Sequence, residues 1–327
     1  MAGAFILGCE GPDLTPDEAA FFREADPWGF ILFARNVERP DRLRALTGAL
    51  RESVGRDAPI LIDQEGGRVQ RMGPPHWSEW PAPLDQMDGA SDPVRAMFLR
   101  ATLIARELRD VGIDVNCTPT ADIAGARTHP FLLNRCYGRT LEEVTARARA
   151  NAEGCLQGGV LPVVKHMPGH GRGAVDSHLN LPVVEAPRAE LDATDFEVFR
   201  QLSDLPLGMT AHVVYADIDA RPGTISPVIH GLIREEIGFD GLLMTDDISM
   251  EALGGAMGAR CAAALEAGCD LVLHCNGKRL EMEAVAGTCP PLTGAARARA
   301  DRALALRAAP VALDIEAARA ELHALMS

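Results

Sequence analysis

Short, unbroken apolar runs recur along the chain, and each ends in polar residues. They fall at Phe5–Leu7, Gly29–Phe33, Pro59–Ile62, Ile113–Cys117, Val160–Val164, Leu207–Thr210, Leu242–Met244 and Asp270–Leu273. Runs of this length without alternation read as buried strands. Between most of them lie segments with helical character: Asp41–Val54, Asp92–Val111, Leu141–Gly158, Arg188–Leu202, Pro227–Ile237, Ile248–Ala267 and Lys278–Ala286. Several carry their own punctuation. Thr15-Pro16-Asp17-Glu18 offers a threonine cap, proline in the first turn and early acidic residues. Thr140 to Glu143 has the spacing of a capping box. Gly112, Gly158 and Gly268 stand where helices should stop.

Strands alternating with helices predict βαβ units and a parallel sheet. Eight such units in 327 residues fit an α/β chain folded as a (β/α)8 barrel of TIM type; a doubly wound open sheet is the alternative. The polar residues that end the runs favour the barrel. Arg35-Asn36, Asp63-Gln64-Glu65, Arg135, Lys165-His166, His212 and Asp246-Asp247 follow different strands. A barrel gathers all strand ends on one face, whereas an open sheet gathers only those beside its switch point. No linker, repeat or low-complexity stretch interrupts the pattern. The expectation is therefore one domain over residues 1–327, with 294–327 as closing helices on either side of Pro310.

Composition narrows the function. A net charge of −14 disfavours nucleic acid and anionic membrane surfaces as partners. The eight cysteines form no CxxC pair and have no zinc-finger spacing with histidine, so they read as small buried hydrophobes in a reducing compartment. The N-terminus lacks a basic leader region, and no apolar stretch is long enough to span a membrane. A cytoplasmic enzyme is expected.

Three segments carry candidate chemistry. The densest is Lys165-His166-Met167-Pro168-Gly169-His170-Gly171, continued by Asp176-Ser177-His178. Its proline and glycines read as a loop after a strand. It admits three readings: a hydrogen-bonded structural loop, a metal site using His166 and His170, or acid/base work. The i,i+4 spacing of the two histidines serves a metal only on a helix, which Pro168-Gly169 opposes. In the acid/base reading, the Asp176 carboxylate holds the His178 imidazole and raises its pKa. The glycines suggest that the loop closes over a bound ligand. The second segment is Met244-Thr245-Asp246-Asp247. Successive residues of an extended chain face opposite ways, so one aspartate should face the site while the other caps a helix beginning near Ile248. The third is Asp63-Gln64-Glu65-Gly66-Gly67-Arg68-Val69-Gln70-Arg71. Asp63 at a strand end suits two hydrogen bonds to vicinal hydroxyls. The segment lacks P-loop and GxGxxG spacing, which weakens a phosphate-binding reading. His212 is equally open to structural and functional readings, and Ser177 lacks the GxSxG elbow of a serine hydrolase.

These motifs, in this order and spacing from about residue 5 to about residue 275, resemble glycoside hydrolase family 3. The likeness is greatest to its single-domain bacterial β-N-acetylhexosaminidases of peptidoglycan recycling. Met167 where phenylalanine is usual, Thr245 where serine is frequent, and Asn134-Arg135-Cys136-Tyr137 depart from the family pattern. The resemblance implies a TIM-type barrel, a retaining mechanism, and no metal or cofactor. It implies Asp246 as nucleophile and His178 as acid/base supported by Asp176. Asp63, Arg71, Arg135, Lys165 and His166 would bind the terminal N-acetylglucosamine. The implied partner is a small carbohydrate, a GlcNAc-containing muropeptide, acted on by a monomer. A β-glucosidase, a glycosyl phosphorylase of the same family, and a non-catalytic sugar-binding barrel are the alternatives.

Overall fold

The computed structural model describes residues 1–175 and 181–327. Eight parallel strands close into a barrel: β1 (Gly3–Gly8), β2 (Pro27–Leu32), β3 (Ile60–Ile62), β4 (Val115–Asn116), β5 (Leu161–Met167), β6 (Leu207–Thr210), β7 (Leu242–Asp247) and β8 (Leu271–His274). Each strand pairs with its sequence neighbours, and β8 closes on β1 through Phe5–Val272, Ile6–Leu273 and Leu7–His274. Sequence order is thus spatial order, as right-handed βαβ units require.

The unbroken apolar runs have a simple origin. Ile6, Ile31, Leu61, Val163, Met244 and Leu273 fill the barrel interior. Their neighbours Phe5, Phe30, Ile60, Val164, Leu243 and Val272 pack outward under the helices. Both faces of every strand are buried, so neither has cause to be polar. At the N-terminal end, the helix Gly294–Ala305 covers the interior with Ala300 and Ala303, beside Leu292 and Trp28. The last helix, Ile315–Leu325, lies against Pro93–Asp110 and holds it through Arg95–Glu321. Among the described residues, no helix is long and apolar enough to cross a membrane.

Helix ends follow the predicted signals in part. Thr15 and Glu18 form the full capping box of Pro16–Ala25. Thr140 caps Leu141–Gln157, but Glu143 turns its carboxylate to the Arg139 amide, so that box is half made. The stretch Arg188–Leu202 is two helices, Arg188–Ala193 and Asp195–Gln201. They break at Thr194, whose hydroxyl bonds the Glu190 carbonyl and the Asp195 carboxylate; such side-chain bonds compete with the helix ladder. Pro227–Ile237 changes from α to π winding at Leu232.

Two corrections bear on function. Lys165 and His166 belong to β5, which runs to Met167, so the loop starts later than the glycine pattern suggested. No helix begins near Ile248: the next starts at Met257, after a 3-10 turn and two left-handed glycines, Gly254 and Gly255. Asp247 is therefore no helix cap. It accepts from the Ser249 amide and hydroxyl and from the Cys275 amide, tying the loop after β7 to the end of β8.

The helices Pro93–Asp110 and Leu141–Gln157 meet at Gly154, where an added Cβ would lie 2.5 Å from the Phe98 carbonyl and 2.8 Å from Ala101 Cβ. Gly154→Ala should cost about 1–3 kcal/mol of stability in urea unfolding. Gly48→Ala, on an exposed face of Pro40–Val54 with open space around it, should gain roughly 0.5–1 kcal/mol. Equal effects at the two positions would refute the close packing.

Candidate active site

Extending each strand's inward register by one step past its last apolar layer gives the floor of a cavity. Leu61 leads to Asp63, Val163 to Lys165, Met244 to Asp246, Leu273 to Cys275, and Ile31 to Phe33. All five line one cavity of about 200 Å³, with Arg71, Arg135, His166, His170, Met209 and Phe131 among the others. That is smaller than the roughly 300–1,000 Å³ usual for drug-sized ligands, and it suits one small polar ring. Both Asp246 and Asp247 border the cavity; the inward register passes through Asp246, while the Asp247 carboxylate is engaged by Ser249 and Cys275.

Buried ion pairs form one wall. The Lys165 ammonium lies 2.9 Å from Asp63 Oδ1 and 2.6 Å from Glu65 Oε1. Arg71 reaches Asp63 Oδ2 at 3.2 Å, and Arg135 grips Glu65 through two bonds of 2.8 Å each. Arg100 donates to the Glu65 carbonyl from behind. Gly66 makes room for that guanidinium: its φ is +101°, and a Cβ there would meet Arg100 Nη2 and the Pro81 carbonyl. Burial alone would raise the Glu65 carboxyl, but the Arg135 and Lys165 charges outweigh it and hold it at about 2. Burial also opposes ionisation of Asp63, which Lys165 and Arg71 bring well below the usual carboxylate range. Lys165 is desolvated too, yet Asp63 and Glu65 push it above the usual lysine range. The whole set stays ionised near neutral pH.

Asp246 is partly open to the cavity. Its Oδ1 accepts the Asp247 amide at 2.8 Å. Burial would raise this carboxyl; the His166 and His212 imidazoles, that amide and Lys165 lower it instead. His212 is structural: Thr224 Oγ1 holds one ring nitrogen at 2.7 Å and the Asp247 carbonyl the other at 3.1 Å. The His166 Nδ1 lies 2.8 Å from Asp122 Oδ2. The Lys165–His166 peptide is cis. His170 is pushed down to about 4, first by burial and then by His166, so it is neutral at neutral pH. The His166 and His170 rings pack edge to face with centroids 5.5 Å apart. Among the described residues, no three His, Cys, Asp or Glu side chains are arranged to hold a metal.

Six expected site residues thus meet in one cavity: Asp63, Arg71, Arg135, Lys165, His166 and Asp246. Asp176 and His178, with Ser177, lie outside the described residues. Two buried carboxylates were not singled out from sequence. Glu65 shares the inward parity of Asp63, which was a usable signal. Asp122 lies beyond β4 in a segment without periodicity, 44 positions from the histidine it holds.

The chain matches the glycosyl hydrolase family 3 N-terminal domain over residues 19–302. It is 42% identical over 272 residues to a beta-hexosaminidase of Methylococcus capsulatus, a match covering 81% of this chain and 80% of that one. This chain belongs to glycosyl hydrolase family 3. Among solved structures it superposes on NagZ from Neisseria gonorrhoeae in complex with N-trifluoroacetyl-D-glucosamine, with a TM-score of 0.88 and 32% identity. That match covers all of this chain and 98% of the other. A family 3 beta-N-acetylglucosaminidase from a Paenibacillus species superposes with a TM-score of 0.83 at 28% identity, covering 99% and 62% of the two chains. The family 3 membership makes the protein a glycoside hydrolase, and the cavity at the C-terminal mouth of its barrel is where such a fold places chemistry.

The ion-pair wall of this family 3 hydrolase generates an acid sensitivity. Glu65 is depressed on folding, so its contribution is complete above its unfolded value of 4.5 and is lost as pH falls toward 2. That loss should be about 3 kcal/mol. In Glu65→Gln, urea unfolding should show a shallower fall in this window, on a protein already weakened by leaving Arg135 without its partner charge. Identical pH slopes for both proteins would remove Glu65 from the account.

Proposed function

We propose that the protein is a retaining exo-β-N-acetylglucosaminidase that releases terminal GlcNAc from muropeptides such as GlcNAc-anhydroMurNAc. The single observation that carries this reading is the small cavity in which an ionised Asp246 faces the Asp63–Lys165–Arg135–His166 cluster. It is supported by the beta-hexosaminidase and N-trifluoroacetyl-D-glucosamine named for similar proteins. A cavity sized for one ring supports cleavage from the end of a chain. The charged wall offers donors and acceptors in fixed positions for vicinal hydroxyls. The muropeptide aglycone rests on the family resemblance.

In this reading Asp246 attacks the anomeric carbon, the bond to the aglycone oxygen breaks, and a glycosyl ester forms. A carboxylate held below its usual range is the charged nucleophile that this step requires. His178 gives the departing oxygen its proton, then takes one from the water that hydrolyses the ester. The family resemblance gives Asp176 the task of supporting that imidazole. The ordinary histidine value near 6.5 places it close to working pH without deep burial.

Wild type should release p-nitrophenol from the β-N-acetylglucosaminide, with little release from the β-glucoside and no dependence on phosphate. Asp246→Ala should lower kcat by about a thousandfold or more. Asp176→Ala should slow turnover by about a hundredfold and shift the pH profile. Full activity in Asp246→Ala removes the nucleophile assignment. A phosphate-dependent rate yielding a sugar 1-phosphate makes the enzyme a phosphorylase, and folded protein silent on both glycosides favours a sugar-binding role.

A further inference from the structure

Asp122 is fully buried, and it spends its two oxygens on two different parts of the site. Oδ2 lies 2.8 Å from His166 Nδ1, on β5 and in the cavity wall. Oδ1 accepts the backbone amide of His170 at 2.6 Å, where the chain leaves β5 and heads toward Asp176. Burial would raise this carboxyl; the charge and hydrogen bond of His166 lower it, so the group facing Nδ1 is a carboxylate. A carboxylate accepts only, so Nδ1 must carry a proton whatever the charge of the ring. Nδ1 is the one ring nitrogen of His166 with a protein partner among the described residues, and the ring lines the cavity. Nε2 is therefore the nitrogen left for a ligand, with a lone pair to offer whenever the ring is neutral.

We propose that Asp122 is a positioning residue of this active site. One oxygen fixes the proton on Nδ1 of His166, leaving Nε2 as the ring nitrogen that faces a sugar hydroxyl. The other holds the backbone amide of His170, just past the end of β5. The kinetic part rests on the proposed reading of the cavity as the glycone site; the tautomer does not.

Asp122→Asn is the informative change. Its amide oxygen still accepts from His170, while its NH₂ must donate to His166 Nδ1 and drive the proton to Nε2. In protein labelled with 15N-histidine, the His166 signals, identified by their loss in His166→Gln, should switch from the Nδ1–H to the Nε2–H pattern. The same pattern in both proteins overturns the tautomer role. On p-nitrophenyl β-N-acetylglucosaminide, kcat/KM should fall about 10- to 100-fold. Introduced into His166→Ala, the same change should cost less than about twofold; fully additive losses mean that Asp122 does not act through His166. Wild type inert on the nitrophenyl glycoside defeats the proposed function, while the histidine spectrum still decides for Asp122.

Discussion

Everything at the barrel mouth depends on placing five charged side chains in a nearly dry space. Lys165, Arg135 and Arg71 bring three positive charges, and Asp63 and Glu65 bring two negative ones. Desolvating any one of them alone would cost several kcal/mol, and only dense mutual pairing makes the arrangement tolerable. The pairing is not balanced: one positive charge remains. Asp246, across the cavity, supplies the matching negative charge. The nucleophile candidate is kept ionised first by His166 and His212 and by the Asp247 amide, with Lys165 adding the smallest share, so wall and nucleophile are linked through Lys165.

The barrel itself was legible because its physics is one-dimensional. A strand buried on both faces has no polar positions until it leaves the sheet, so apolar runs and polar stops mark strand and mouth directly. All eight runs became barrel strands. Helix ends were less legible, because they depend on partners distant in sequence. Thr194 breaks its helix in concert with Asp195, which Arg172 engages from another loop. Asp247 gives its oxygens to Ser249 and Cys275, so a segment that reads as helix after Ile248 becomes a loop. The three-stranded sheet of Val183–Val184, Val214–Tyr215 and Asp219–Pro222 is built from strands of two to four residues, too short to leave a periodic trace.

The site divides the same way. Asp63, Lys165 and Asp246 were readable because strand parity carries them inward, and the same parity contains Glu65. Arg71 and Arg135 reach the cavity from loops, where no period applies; their sequence segments stood out, but their binding roles came only from the family resemblance. Asp122 had neither signal. It meets His166 through the closure of β4 on β5, which is a property of the folded barrel and of no local stretch of chain.

The prior pairing of these charges also shapes what the cavity can recognise. A site with unpaired charge would seek a counter-ion, and a neutral sugar would bind it poorly against water and salt. Here Asp63 and Glu65 are both paired with Lys165, Arg71 or Arg135, and the one positive charge left over faces Asp246, so the ligand meets oriented hydrogen-bonding groups and little net field. Its hydroxyls must replace departing water bond for bond, because the walls cannot relax without breaking the ion pairs behind them. A sugar lacking one of those hydroxyls leaves a buried polar group without a partner, and such a loss discriminates far more strongly than a missing methylene does. Rigidity bought by the buried pairs is therefore also the source of selectivity, and the stability of the barrel mouth and the choice of substrate rest on the same few contacts.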